Sequence, residues 1–110
     1  MAFQSAALKV VWEDLLARGI YIPVGDVARA FQEDGVRAVE LLARERLAQI
    51  DAASHAYRDA FAQLPRIPSP SVLWSALYAT IEDALTTLDE LEPGVDHREE
   101  WEAWLSDQQS

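Results

Sequence analysis

The chain has no cysteine and, at Lys9, a single lysine among its 110 residues. Without thiols there is no disulfide and no thiolate zinc site, so an apolar core has to hold the fold. Glycine and proline are scarce, at 4 and 5, which fits a helical globule rather than a disordered chain and leaves strands little to build from. His55 and His97 are the only imidazoles, and they do not form a pair at metal-binding spacing. No run of about 18 apolar residues occurs, and residues 1–7 lack a basic stretch followed by an apolar one. The expectation is a cytoplasmic protein with no membrane span.

Basic charge is missing from one part in particular. Residues 67–110 carry Arg98 alone against 10 acids, whereas residues 1–66 set 8 basic against 9 acidic side chains, so nearly all of the net charge of −10 lies in the last two-fifths. Such a surface repels phosphate backbones, which argues against direct nucleic-acid binding, and it attracts a basic partner. The preference for Arg over Lys accompanies GC-rich bacterial coding.

What is present is material for helices. Half of the residues are hydrophobic, and Ala, Leu, Glu and Arg dominate, which predicts a single all-α domain over 1–110, a small bundle of four to five helices. The longest periodic stretch is 36–64. At about 100° per residue, Val36, Val39, Leu42, Ala43, Leu47, Ile50, Ala53, Tyr57, Phe61 and Leu64 form one wide core-facing stripe. On the opposite side Leu41, Ala48, Ala52 and Ala56 make a second, narrower line, where small side chains permit close approach of another helix. Arg46 falls inside the wide stripe and needs a carboxylate or a route to solvent, or else marks a site for an acidic ligand. His55 projects from a polar side.

Ahead of this helix, Ser5 is placed to cap a first one carrying Leu8, Val11, Trp12 and Leu15, and Gly19 to end it. Ile20, Tyr21, Ile22, Pro23 and Val24 form an extended linker, either a plug of the core or an open edge for a partner strand. Asp26 is placed to cap a short second helix. In the frame of 36–64, Val27 and Ala30 are out of phase, so a break is predicted near Gly35, with Asp34 capping the long helix. A DNA-reading helix-turn-helix is not favoured, because Glu33, Asp34 and Glu40 interrupt the positive face it requires.

Beyond Pro65, Ser69 or Ser71 starts a helix over about 71–92, predicted to fold back on the long one as an antiparallel hairpin. Trp74, Leu77, Ile81, Ala84, Leu88 and Leu91 give it an a/d seam, widened by Tyr78 and Leu85. Its solvent side presents an acidic face of Glu82, Asp83, Asp89, Glu90 and Glu92. After Pro93 and Gly94, Asp96 with Glu99 predicts a short last helix over about 96–106, and 107–110 should fray. Trp101, Trp104 and Leu105 on this acidic segment either dock on the chain's own bundle or serve as aromatic anchors for a partner.

No phosphate loop, nucleophile elbow, calcium loop or assignable acid/base pair occurs, so neither catalysis nor a metal or cofactor is expected. The expected function is that of a small acidic regulator which binds and inhibits a larger protein bearing a basic or apolar patch. The type is an antiactivator that blocks dimerisation or DNA binding of a transcription factor. Partner-binding candidates are Leu41, Ala48, Ala52, Ala56, Trp101, Trp104 and Leu105, together with the acidic face. Alternatives are a DNA mimic, an anti-CRISPR or toxin-immunity protein, and a structural homo-oligomer, the alanine line or the seam then making a homodimer.

Overall fold

The computed structural model describes residues 6–109, and all regular structure among them is helical. Helix α1 spans Ala6–Ala17, α2 Val24–Gln63, α3 Val72–Leu91 and α4 Glu99–Gln109, with a 3-10 turn at Leu64–Arg66. The all-α class and the long helix forming an antiparallel hairpin with α3 agree with the predicted periodicities. Ser5, the expected first cap, lies outside the described residues.

Helix α1 ends as its sequence requires. Gly19 takes φ 77°, the Ile20 N–H donates to the Leu15 carbonyl at 2.9 Å and the Gly19 N–H to that of Leu16 at 3.0 Å. This double closure is the Schellman pattern, and it brings Ile20 and Leu15 into the same core. The extended linker then alternates. Ile20 and Ile22 are buried with Tyr21 exposed between them, and the Trp12 Nε1–H donates to the Ile22 carbonyl at 3.3 Å. The linker is therefore a plug of the core. Helix α2 begins at Val24, with Asp26 in its first turn rather than capping it; the Asp26 and Val27 N–H groups bond the Pro23 carbonyl instead.

The predicted phase break is present. Asp34 (φ −151°, ψ 30°) and Gly35 (φ 60°, ψ −146°) leave helical geometry and divide α2 into arms 24–33 and 36–63. Only glycine occupies the region of Gly35 without strain. The space around it is open, so backbone geometry alone calls for this residue.

The chain divides into two compact units, Met1–Gln49 and Ile50–Ser110. The buried residues explain the division. Leu8, Leu15, Ile20, Ile22, Val27, Ala30, Val39 and Ala43 form one core, and Tyr57, Ala60, Leu64, Ile81, Ala84, Leu85, Leu88 and Trp101 form the other. The wide stripe on 36–64 is thus not one continuous core surface. Val36 and Leu47 are exposed members of it and belong to neither cluster, correcting the expectation that the whole stripe faces inward.

In the second unit, Ser71 is the cap that starts α3, its Oγ accepting the Trp74 N–H at 3.1 Å. The last helix starts at Glu99, later than the predicted 96. The Asp96 carboxylate accepts the Arg98 N–H at 2.9 Å, ahead of the helix. The helix also runs past the predicted end at 106, through the expected frayed residues, to Gln109.

Candidate interaction surfaces

The most consequential correction concerns Trp101. Its indole is 1 % exposed, with ring centroids 5.6 Å from Phe61, 5.2 Å from Tyr78 and 5.5 Å from Trp104, the last stacked. Its Nε1–H donates to Glu82 Oε1 at 2.9 Å. An indole so enclosed is a core residue, not a free anchor: α4 is short and acidic, and this ring is what fastens it to its own unit. Trp104 and Leu105 are half-buried around the same cluster. Trp104 meets Phe61 edge-on at 5.8 Å, and the two rings line an open groove of about 470 Å³ edged by Arg58, Glu100 and Asp107.

The acidic face is also divided. Arg98 Nε donates to Asp89 Oδ2 at 2.8 Å, Nη1 to Glu82 Oε2 at 3.1 Å and Nη2 to Thr86 Oγ1 at 3.2 Å. The single basic residue of the last two-fifths therefore neutralises two of the five carboxylates. The Trp101 N–H foremost, with Arg98 beside it, holds the Glu82 carboxyl below the usual carboxylate range against the opposing effect of burial. Glu92 Oε1 lies 3.4 Å from His97 Nε2, close enough for attraction to a charged imidazole. It is not aligned for a hydrogen bond, and none is made by that nitrogen. Asp83 and Glu90 remain exposed on α3.

Tyr57 also brings a polar atom to the core of this unit. Its hydroxyl donates to Glu100 Oε1 at 2.7 Å. Burial first and the Glu100 carboxylate second push its ionisation well above the ordinary tyrosine range. Through this hydrogen bond the phenol ties α4 to α2.

In the first unit, Arg18 plays the part that Arg98 plays in the second. Its guanidinium donates twice to Glu40, at 2.8 and 3.3 Å, and once to Asp14 at 3.3 Å, holding the Glu40 carboxyl low. Leu41, the residue after Glu40, is 55 % exposed, and Ala48 is exposed two turns on. Ala52 and Ala56, exposed as well, belong to the second unit. Arg46 makes no ion pair among the described residues and is half-buried, on a groove of about 450 Å³ lined also by Ile22, Ala30 and Leu42. Glu33 and Glu45 share that lining.

Two features escape a reading of the sequence. Arg98 counts there as charge without a partner, although Glu82 and Asp89 are seven residues apart and stand on one side of α3, facing it. Val72 and Leu73 are exposed, a consequence of their falling outside the a/d phase of the seam. Among the described residues no group of His, Asp or Glu is arranged to hold a metal, and no helix is long and apolar enough to cross a membrane. Compared with known proteins, the chain matches no family model, no curated protein and no solved structure.

Proposed function

We propose that this protein is a non-enzymatic regulator that binds a larger protein through its helix surfaces and inhibits it, as an antiactivator blocks dimerisation or DNA binding of a transcription factor. The observation that carries the reading is Leu41. It is a large apolar side chain held 55 % exposed on a helix whose other side already fills a core through Val39 and Ala43. Nothing in the packing of its unit uses it, and an apolar side chain raised in this way suits protein association. The division of the acidic face supports apolar contact over mimicry of DNA: Glu82 and Asp89, engaged by Arg98, are poorly placed to imitate free phosphates.

Affinity purification from the source cell with wild type and with Leu41→Glu and Ala52→Glu tests the proposal. The expected result is a specific partner retained by the wild type and lost by at least one variant. With that partner in hand, addition of the protein should abolish its dimerisation or its DNA shift. A wild type that retains nothing, or variants that retain the partner undiminished, would overturn the reading. A stable homo-oligomer at micromolar concentration that Ala52→Glu disperses would put the assembly alternative in its place.

A further inference from the structure

The solvent side of α3 is composed differently along its length. Residues 67–81 contain no Asp, Glu, Lys, Arg or His. Over the first turns of α3, Val72 is 89 % exposed and Leu73 52 %, and Ala76, Ala79 and Thr80 are exposed beside them. The Thr80 hydroxyl donates to the Ala76 carbonyl at 2.9 Å, so it is satisfied within the helix and seeks no outside partner. At about 100° per residue, Val72, Ala76, Ala79, Asp83 and Glu90 fall on one strip, away from the buried Ile81, Leu85 and Leu88. The strip therefore begins apolar and ends in two carboxylates.

Asp83 and Glu90 make no hydrogen bond or ion pair among the described residues, unlike Glu82 and Asp89 on the flank held by Arg98. Their own unit offers little to neutralise them, with 3 basic against 12 acidic residues over 50–110. A second copy of the chain is a poor occupant. Parallel self-pairing sets the carboxylates against each other, and antiparallel self-pairing sets them against Val72 and Ala79, where they would lose hydration without a counter-charge.

Building on the function proposed above, we infer that this strip of α3 docks a helical segment of another protein in which an apolar stretch adjoins lysine or arginine side chains. The small Ala76 and Ala79 allow close helix approach and with Val72 provide the apolar contact, and Asp83 with Glu90 fixes register and favours basic partners. The strip runs roughly 27 Å, at about 1.5 Å per residue, enough for a partner helix of five turns.

The test uses the full chain and synthetic helical peptides of 20 residues, with leucines at i, i+3, i+4 and i+7 in one half and arginines in the other. Controls carry glutamate in place of arginine, or a scrambled order. Binding is followed by anisotropy of the labelled peptide at low and moderate salt and by amide shifts of the ¹⁵N protein. The arginine peptide should bind saturably with shifts centred on 72–90. The glutamate and scrambled peptides should bind at least ten-fold more weakly. Ala76→Glu should weaken binding ten-fold or more, and D83K combined with E90K several-fold with a flatter salt dependence, while Leu41→Glu leaves it unchanged. Equal binding of the scrambled peptide, shifts elsewhere, or indifference to the α3 variants would overturn the inference, as would no binding at all. Applied to the cellular partner, the same variants separate the two claims. Loss with Leu41→Glu but not with the α3 variants removes this docking strip and leaves the inhibitor reading standing; retention by all variants removes both.

Discussion

The unit Met1–Gln49 fills its interior with aliphatic side chains, from Leu8 and Leu15 through Ile20 and Ile22 to Val39, with Trp12 and Phe31 only at its margin. The unit Ile50–Ser110 places rings at its centre: Trp101 is surrounded by Phe61, Tyr78 and Trp104. Their charges diverge as well, 6 basic against 7 acidic residues in the first and 3 against 12 in the second. A strongly acidic segment gains little from ion pairing and suffers self-repulsion, so a few large rings must supply what holds it. Each unit also has one arginine clasp. Arg18 works in the open, whereas Arg98 is partly covered and shares Glu82 with the Trp101 indole.

Breaking the ring cluster should expose this difference most sharply. Trp101→Ala removes the side chain that fastens α4 and is expected to cost about 3–5 kcal/mol. Hydrogen exchange should show protection collapsing over 50–109 while 6–49 retain theirs; loss of protection everywhere would show that the two units are one cooperative body. Gly35→Ala probes the other unit. A Cβ at φ 60°, ψ −146° meets no atom but strains the backbone, at about 1–3 kcal/mol, read as a lowered melting temperature with exchange rising in 6–49.

The clasps come next. Arg98→Gln leaves Glu82 and Asp89 without their cation and should destabilise by about 1 kcal/mol, whereas Arg18→Gln, acting on an exposed pair, should shift the melt much less. Equal effects would erase the distinction between the clasps. Acid titration sharpens it further. Since Glu82 ionises at lower pH in the folded chain than its ordinary value, its contribution is complete above that value and is lost as pH falls through the folded one, from about pH 5 downward. Melting curves of wild type and Glu82→Gln should therefore converge in acid; a constant gap would refute the assignment. Smallest of all, Leu41→Glu should leave the melting temperature nearly unchanged, because Leu41 is exposed and lies outside the core of its unit.

Much of this fold is legible in the sequence because it is local. Gly19, Gly35, Pro65 and Ser71 each end or start a helix through their own backbone or hydroxyl chemistry, and neighbours in sequence suffice to read them. The seam of α3 is legible for the same reason, its period being a property of one helix. The candidate surfaces are less so. Leu41, Ala48, Ala52 and Ala56 stand exposed, consistent with phase alone, but the pattern around Trp101 suits a partner and the core equally. Its fate depends on Phe61 and Tyr78, which lie 40 and 23 positions away in the sequence.

By itself, then, the sequence determined the helical class, the break at Gly35, the reversal after Pro65 and the concentration of acid in the last two-fifths, since each comes from torsional preference, periodicity or composition. Only the tertiary structure decided that the wide stripe of α2 serves two separate cores, that Trp101 is enclosed, and that Arg98 takes Glu82 and Asp89 out of the acidic face while leaving Asp83 and Glu90 free. The reason is physical. A helix period says which residues share a side, but a side chain's burial and its ion partner depend on elements brought together from distant parts of the chain, and nothing in the local pattern encodes that distance.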